Sequence, residues 1–389
     1  MRPTPILLAA LAATASLPAA AAQASSQSEP PSPRLRMLAA EDARDASPQA
    51  IVPLLEGLKS ADAEIRRVAV RGLGRLEREA LGPHIVLGLK DPEASVRAEA
   101  ANALAQSVFG EGDVAAIGEG ARTLAAALRA ESHPLGRGAL AAAIGRLRPP
   151  GDAAGQAAGM LVLDVAAPQD GTGVRRPAST AVLLGALRGL GSLARAGAHA
   201  GGPARDAAGR PVTWLPDAAL APLVSLLLDG RPASPPPPAR PAGGDAPPAA
   251  DVAIRRLVLQ ALAGTRRNFP AVGLALIDDA DDQARAVAAR WAVDALRGED
   301  ARTTIAGEWA RLRATPETEA RAWLAARVAE YERRITVDPS PQVRFEAIRA
   351  IGEAGLGAAG CGWLLRGFED SDVNVARQAM IAVVPSCRG

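Results

Sequence analysis

Apolar residues recur along this chain at helical spacing, and they recur together with the same polar partners. Asp62 is followed by Ile65-Arg66, Ala69, Gly72, Leu73 and Gly74; Asp91 is followed by Val96-Arg97, Ala100, Ala103, Leu104 and Ala105. The two arginines lie about thirty residues apart, the length of one two-helix repeat. Further copies keep the register. Arg137 leads to Ile144-Gly145, Arg255 to Ala261-Leu262-Ala263, Arg285 to Ala288, and Asp338 to Val343-Arg344, Ala347, Ile351 and Gly352. A looser copy runs through Leu183 to Gly191, and a last one keeps Asp370, Asp372, Val375 and Ala379 but has Ala376 in place of the arginine. Each copy reads as an amphipathic helix pair that cannot bury its apolar face alone, so the prediction is a stacked all-α array over 34–389.

Individual helices follow from caps and stripes. A short helix is expected over 34–44. Ser47 reads as an N-cap and Pro48 as the first residue of a helix carrying Ile51, Leu54, Leu55 and Leu58, with 64–76 as its partner. The pairs 81–90 with 94–106 and 121–129 with 135–147 come next. Three stretches interrupt the register. A Pro-rich run at 229–250 is predicted as an exposed loop between two helices of one repeat, and 196–211 as irregular. The third, 302–335, is predicted as a helical insertion on the strength of the Leu324, Val328, Tyr331 and Ile335 stripe.

The N-terminus changes the picture of where the chain works. An apolar run from Ile6 to Leu17, a Pro18 break and the choices Ala20-Ala21-Ala22 or Ala22-Gln23-Ala24 read as a signal peptide over 1–24. The run is too short to span a bilayer, so the expectation is export to a periplasm or beyond, with no membrane span. Residues 25–33 read as a disordered polar leader. The aromatic content of 3% and the Ala, Leu and Val bias suit close helix packing, and a net charge of +2 gives no nucleic-acid footprint. Lys59 and Lys90 are the only lysines, so the other 42 of the 44 basic residues are arginine.

The Asp/Arg/Ala phrase resembles the HEAT-repeat family, in particular the short bacterial type first recognised in phycobilisome lyases, over roughly 48–389. The resemblance implies a right-handed α-solenoid in which turn aspartates and second-helix arginines form a ladder between repeats. Carried over, it assigns structural roles to Asp62, Arg66, Asp91, Arg97, Arg255, Asp282, Arg285, Asp338 and Arg344, with the ladder broken at Ala376 and around Leu183. Handling of a bilin chromophore is not expected of an exported, aromatic-poor chain. A narrower likeness, carried by 37–44 and by Asp338-Pro339-Ser340-Pro341-Gln342-Val343-Arg344, is to exported bacterial proteins with a HEAT array ahead of a cyclophilin-type prolyl isomerase domain. No stretch here offers that domain's β-barrel pattern.

Little in the sequence points to catalysis. His84, His133 and His199 stand apart from Cys, Asp and Glu, so neither metal nor cofactor is expected. The glycine-rich segments lack the preceding strand of a phosphate-cradling loop, and Asp278, Asp279, Asp281 and Asp282 fit a turn that caps the next helix. Arg67, Arg71, Arg75 and Arg78 fall at i, i+4, i+8 and i+11, facing away from Ile65, Val68, Ala69 and Leu73; they are the candidate contact for an anion or acidic peptide. Cys361 and Cys387 flank the last hairpin, where a disulfide or two reduced thiols would fit. The expected function is therefore an exported, non-enzymatic scaffold that binds a protein or peptide partner on its concave face, with no small-molecule substrate. The alternative is the N-terminal array of a peptidyl-prolyl isomerase.

Overall fold

The computed structural model describes residues 32–109, 113–149, 152–165, 179–199, 217–229, 249–265 and 267–387. The signal peptide at 1–24, most of the 25–33 leader and the Pro-rich stretch at 230–248 lie outside them. Every regular element among the described residues is helical. After α1 (Pro33–Ala43), the hairpins are α2 (Val52–Gly57) with α3 (Ala63–Arg75), α4 (Gly82–Gly88) with α5 (Ala94–Phe109), and α6 (Val114–Ala130) with α7 (Pro134–Leu147). They continue with α8 (Asp152–Val165) and α9 (Thr180–His199), α10 (Asp217–Asp229) and α11 (Ala249–Gly264), and α12 (Pro270–Leu276) and α13 (Asp282–Ala292). Then come α14 (Glu299–Arg313), α15 (Glu317–Arg334), α16 (Pro341–Ala354), and the last pair, α17 (Ala358–Gly367) with α18 (Val373–Ser386).

The second helices form a continuous layer in which α3, α5, α7, α9, α11, α13, α16 and α18 each pack on the next. The first helices cover one side of it, and the chain is an α-solenoid of helix hairpins. The core is one cluster running the length of the array, built from Leu54, Leu73, Ile85, Leu104, Leu124, Ile144, Leu190, Leu262, Leu274, Ile348 and their neighbours. Helix starts use the devices that the chain repeats: Asp62, Asp113 and Asp372 accept backbone N–H groups of the following turn, and Pro53, Pro83, Pro134, Pro270 and Pro341 sit in first turns.

Small residues allow the layer to close up most tightly between α7 and α9. A Cβ at Gly145 would land on the Gly189 backbone, and one at Gly185 on the Gly138 backbone. Only glycine permits that approach, and the contact offsets the ~1 kcal/mol of helix propensity that each glycine forfeits relative to alanine.

Several boundaries differ from the sequence reading. The α2 helix starts at Val52, not at Pro48, and Ser47 instead donates both its N–H and its Oγ–H to Asp45. The α9 helix runs on through His199, and the rest of the 196–211 stretch lies outside the described residues. The 302–335 segment is helical and lies between α13 and α16, which pack on each other directly. It comprises most of α14 and all of α15, which pack on each other and on α12. The predicted stripe of α15 is buried, and Tyr331 Oη donates to the Ala289 carbonyl of α13 at 2.6 Å. Trp309 of α14 stacks on Trp323 of α15 with ring centroids 3.7 Å apart.

Candidate functional site

The regular charges have to be placed before any are left over for function. In the hairpins that carry the phrase in full, the fourth residue of the second helix is an arginine that reaches two ways. Arg66 sends Nε and Nη2 to Asp91 of the next repeat's turn, at 2.7 and 2.9 Å, and Nη1 back to the Ser60 and Ala61 carbonyls of its own turn. Arg97 does the same to Glu131 and to the Asp91 and Pro92 carbonyls. Arg137 pairs with Asp164, Arg285 with Asp338 and Arg344 with Asp370, while Arg255 of α11 reaches Asp279. These acids are buried or nearly so. Asp91, Glu131, Asp279, Asp338 and Asp370 each also accept the backbone N–H two residues on, which fixes the turn. The arginine fork holds Asp91, Glu131 and Asp370 below the usual carboxylate range.

Two assignments made from the resemblance fall elsewhere. Asp62 is not a rung: it sits two residues further on and caps α3 through the Glu64 N–H, while Ser60 occupies the rung position. Asp282 is the first residue of α13, and its carboxylate accepts a 3.4 Å hydrogen bond from Ser340 Oγ; the acid that Arg255 reaches is Asp279. Buried Leu183 stands fourth in α9 and Ala376 fourth in α18, so neither helix supplies a cation for a rung.

The predicted arginine stripe is largely consumed in the same way. Arg67 pairs with Glu64 and Glu99, and Arg71 and Arg75 converge on the buried Glu41 of α1. Arg78 lies beyond the end of α3, at the start of a 3-10 turn, and is not on the helical stripe. Arg67, Arg71 and Arg75 therefore tie α1 and α5 to α3 more than they present a free cationic face.

A different part of the second-helix layer is hollow. One cavity of about 360 Å³ is lined by Asn102 of α5, Ala142 and Arg146 of α7, Arg188, Ser192 and Arg195 of α9, and Gln260 of α11. Its neighbour, of about 350 Å³, shares Gln260 and extends over α13 and α16 through Gln283, Arg290, Gln342 and Glu346. The two cavities share Gln260 and together mark a groove from α5 to α16. Arg146 donates to Asn102 Oδ1 at 2.5 Å and Arg195 to Ser192 Oγ at 3.2 Å. Burial in the groove pushes the Arg146 pKa down, against a smaller upward pull from Glu99. The sequence did carry a signal for Arg146. It follows Arg137 by the same interval at which Arg75 follows Arg66, so the register used for the α3 stripe also reaches α7.

The last hairpin is closed by a Cys361–Cys387 disulfide, with Cα atoms 5.6 Å apart and a sequence separation of 26. By chain entropy alone such a loop is worth about 3 to 4 kcal/mol. The opposite face of α18 leaves Val373, Met380, Ile381 and Val384 exposed. Among the described residues there is no cluster of His, Cys, Asp and Glu able to hold a metal, and no helix long and apolar enough to cross a membrane.

Comparison with known proteins bears on the first three hairpins. Residues 51–145 match the family model of HEAT repeats, from the turn before α2 to the last turn of α7. No curated protein matches the chain. The match supports the HEAT-repeat family, whose members are commonly protein-interaction scaffolds, and the ladder geometry continues through α16 beyond it.

Proposed function

We propose that this chain is an exported, non-catalytic HEAT-repeat scaffold that holds a protein or peptide partner in the groove along its second helices. The observation that carries the reading is the pair of cavities sharing Gln260, which offers an extended concave surface across α5, α7, α9, α11, α13 and α16. The polar lining favours binding over chemistry. Ser192 is engaged by Arg195, no histidine or cysteine lines either cavity, and Glu346 is bonded to Arg349. Export is supported by the signal-peptide pattern over 1–24 and by a disulfide suited to an oxidising compartment.

Groove-filling substitutions that add no charge test this reading. Ala142→Tyr with Gln260→Tyr should abolish capture of the partner from the exported fraction of the source cells while leaving the circular dichroism spectrum and Tm unchanged. A partner captured equally by the native and filled proteins would sink it. Mass measurement of the mature protein tests export, which fails if residues 1–24 are retained.

A second reading, an array that serves a prolyl isomerase domain, is favoured by the exposed apolar face of α18. Acceleration of X-Pro isomerisation by the purified chain would establish activity within these residues and overturn the non-catalytic proposal.

A further inference from the structure

Many arginines elsewhere in the second-helix layer are matched to acid, though among the described residues Arg290 of α13, in the neighbouring cavity, and Arg377 of α18 are not. The rung arginines have turn carboxylates, Arg67, Arg71 and Arg75 have Glu64, Glu99 and Glu41, and Arg256 has Asp281 at 2.6 Å. Arg146, Arg188 and Arg195 break that pattern. They line one cavity, no carboxylate lines it with them, and among the described residues none of the three forms an ion pair. Their hydrogen-bonding neighbours are neutral, and the acid acting on Arg146, Glu99, is paired with Arg67. Asn102 and Ser192 satisfy one donor each on Arg146 and Arg195, leaving most of the fifteen or so N–H groups of three guanidinium forks without a protein acceptor.

Backbone packing enforces the crowding. Gly145 and Gly189 sit in direct contact, and they immediately precede Arg146 and follow Arg188 in sequence. The closest approach of two helices in the array thus brings two like charges into the same concavity. Like charges held together in a partly desolvated groove are unfavourable until an anion joins them.

Resting on the scaffold reading above, we infer that this cavity recognises an acidic stretch of the partner polypeptide, with Arg146, Arg188 and Arg195 taking its carboxylates and Asn102 and Gln260 its backbone amides. Forked guanidinium donors match carboxylates bidentately. An Asn102 whose Oδ1 is already used keeps its Nδ2 as a donor, and Gln260 offers both a donor and an acceptor. A nucleic acid fits less well. No aromatic ring lines the cavity for base stacking, and Glu346 lies further along the groove where a phosphate backbone would continue.

Fluorescence anisotropy of a labelled oligoglutamate, with oligoglutamine and a single-stranded oligonucleotide of similar length alongside, tests the assignment. Oligoglutamate should bind in a salt-sensitive manner and oligoglutamine should not. Each of Arg146→Gln, Arg188→Gln and Arg195→Gln should weaken binding roughly tenfold at low salt. None of these arginines holds an ion pair among the described residues, so Tm should not fall. Arg71→Gln, which acts on Glu41 at the other end, should leave oligoglutamate binding unchanged. Equal binding of oligoglutamate to the native protein and the triple variant, or tighter binding of the oligonucleotide, overturns the proposal. If the natural partner is lost on filling the groove with Ala142→Tyr and Gln260→Tyr yet retained by the triple arginine variant, the scaffold reading stands and the acidic chemistry fails.

Discussion

At the scale of single residues, the recurring arginine does two jobs with one side chain. Its Nη1 closes the turn of its own hairpin, and its Nε and Nη2 close the gap to the next. Removing it therefore strands a buried acid. Arg97→Gln should cost about 3 kcal/mol in urea unfolding, since Glu131 loses both its cationic donors while remaining buried, and adding Glu131→Gln should recover part of that loss. Acid should act on all such pairs together. The Asp91, Glu131 and Asp370 pKa values are lowered by their arginines, and Glu330 is held down at about 2 by Arg333 and Arg334. A depressed folded-state pKa gives stability that is present above the unfolded value, about 4, and is lost as pH falls through the folded one. The urea midpoint should accordingly be flat near neutrality and decline as pH drops below about 5, less steeply in the Arg97→Gln/Glu131→Gln variant; an unchanged slope would contradict the assignment. The sequence showed which arginines repeat, but not which acid each one meets. Asp62 and Asp91 look alike in the string, and only the two-residue offset between cap and rung separates them.

At the scale of elements, the periodic second helices were legible because packing demands the same apolar face from every copy. Their starts were legible where an aspartate or proline marks them. What escaped was set by contacts distant in sequence. Glu41 of α1 claims Arg71 and Arg75, turning a candidate binding stripe into a clamp on the N-terminal helix. Conversely, α9 read only as a looser copy, since glycines and alanines weaken any hydrophobic pattern, yet with α7 it forms the tightest junction and borders the groove. Gly145→Val should force α9 off α7, costing roughly 1 to 3 kcal/mol of stability. It should also weaken oligoglutamate binding by separating Arg146 from Arg188. Retention of both properties would show that the contact does not position the site.

At the scale of the whole molecule, neighbouring hairpins are joined by rungs from the first to the fourth and again from the fifth to the last. The junction between α9 and α11 is different, because Leu183 stands where the arginine would be. Packing across it rests on small apolar contacts such as Gly264 against Ala194. Dispersion is lost within an ångström of separation, whereas an arginine on a flexible stem can follow its acid over a longer excursion. Mechanically, the described residues form two latched arms meeting at a junction with no rung among them, and the arginine cavity straddles that junction, with Arg188 and Arg195 on one arm and Gln260 on the other. Spin-label distances between α7 and α13 should be broader than those between α3 and α7, and should narrow when oligoglutamate fills the cavity. The missing arginine at Leu183 would then make the bound partner itself the brace that stiffens the bend.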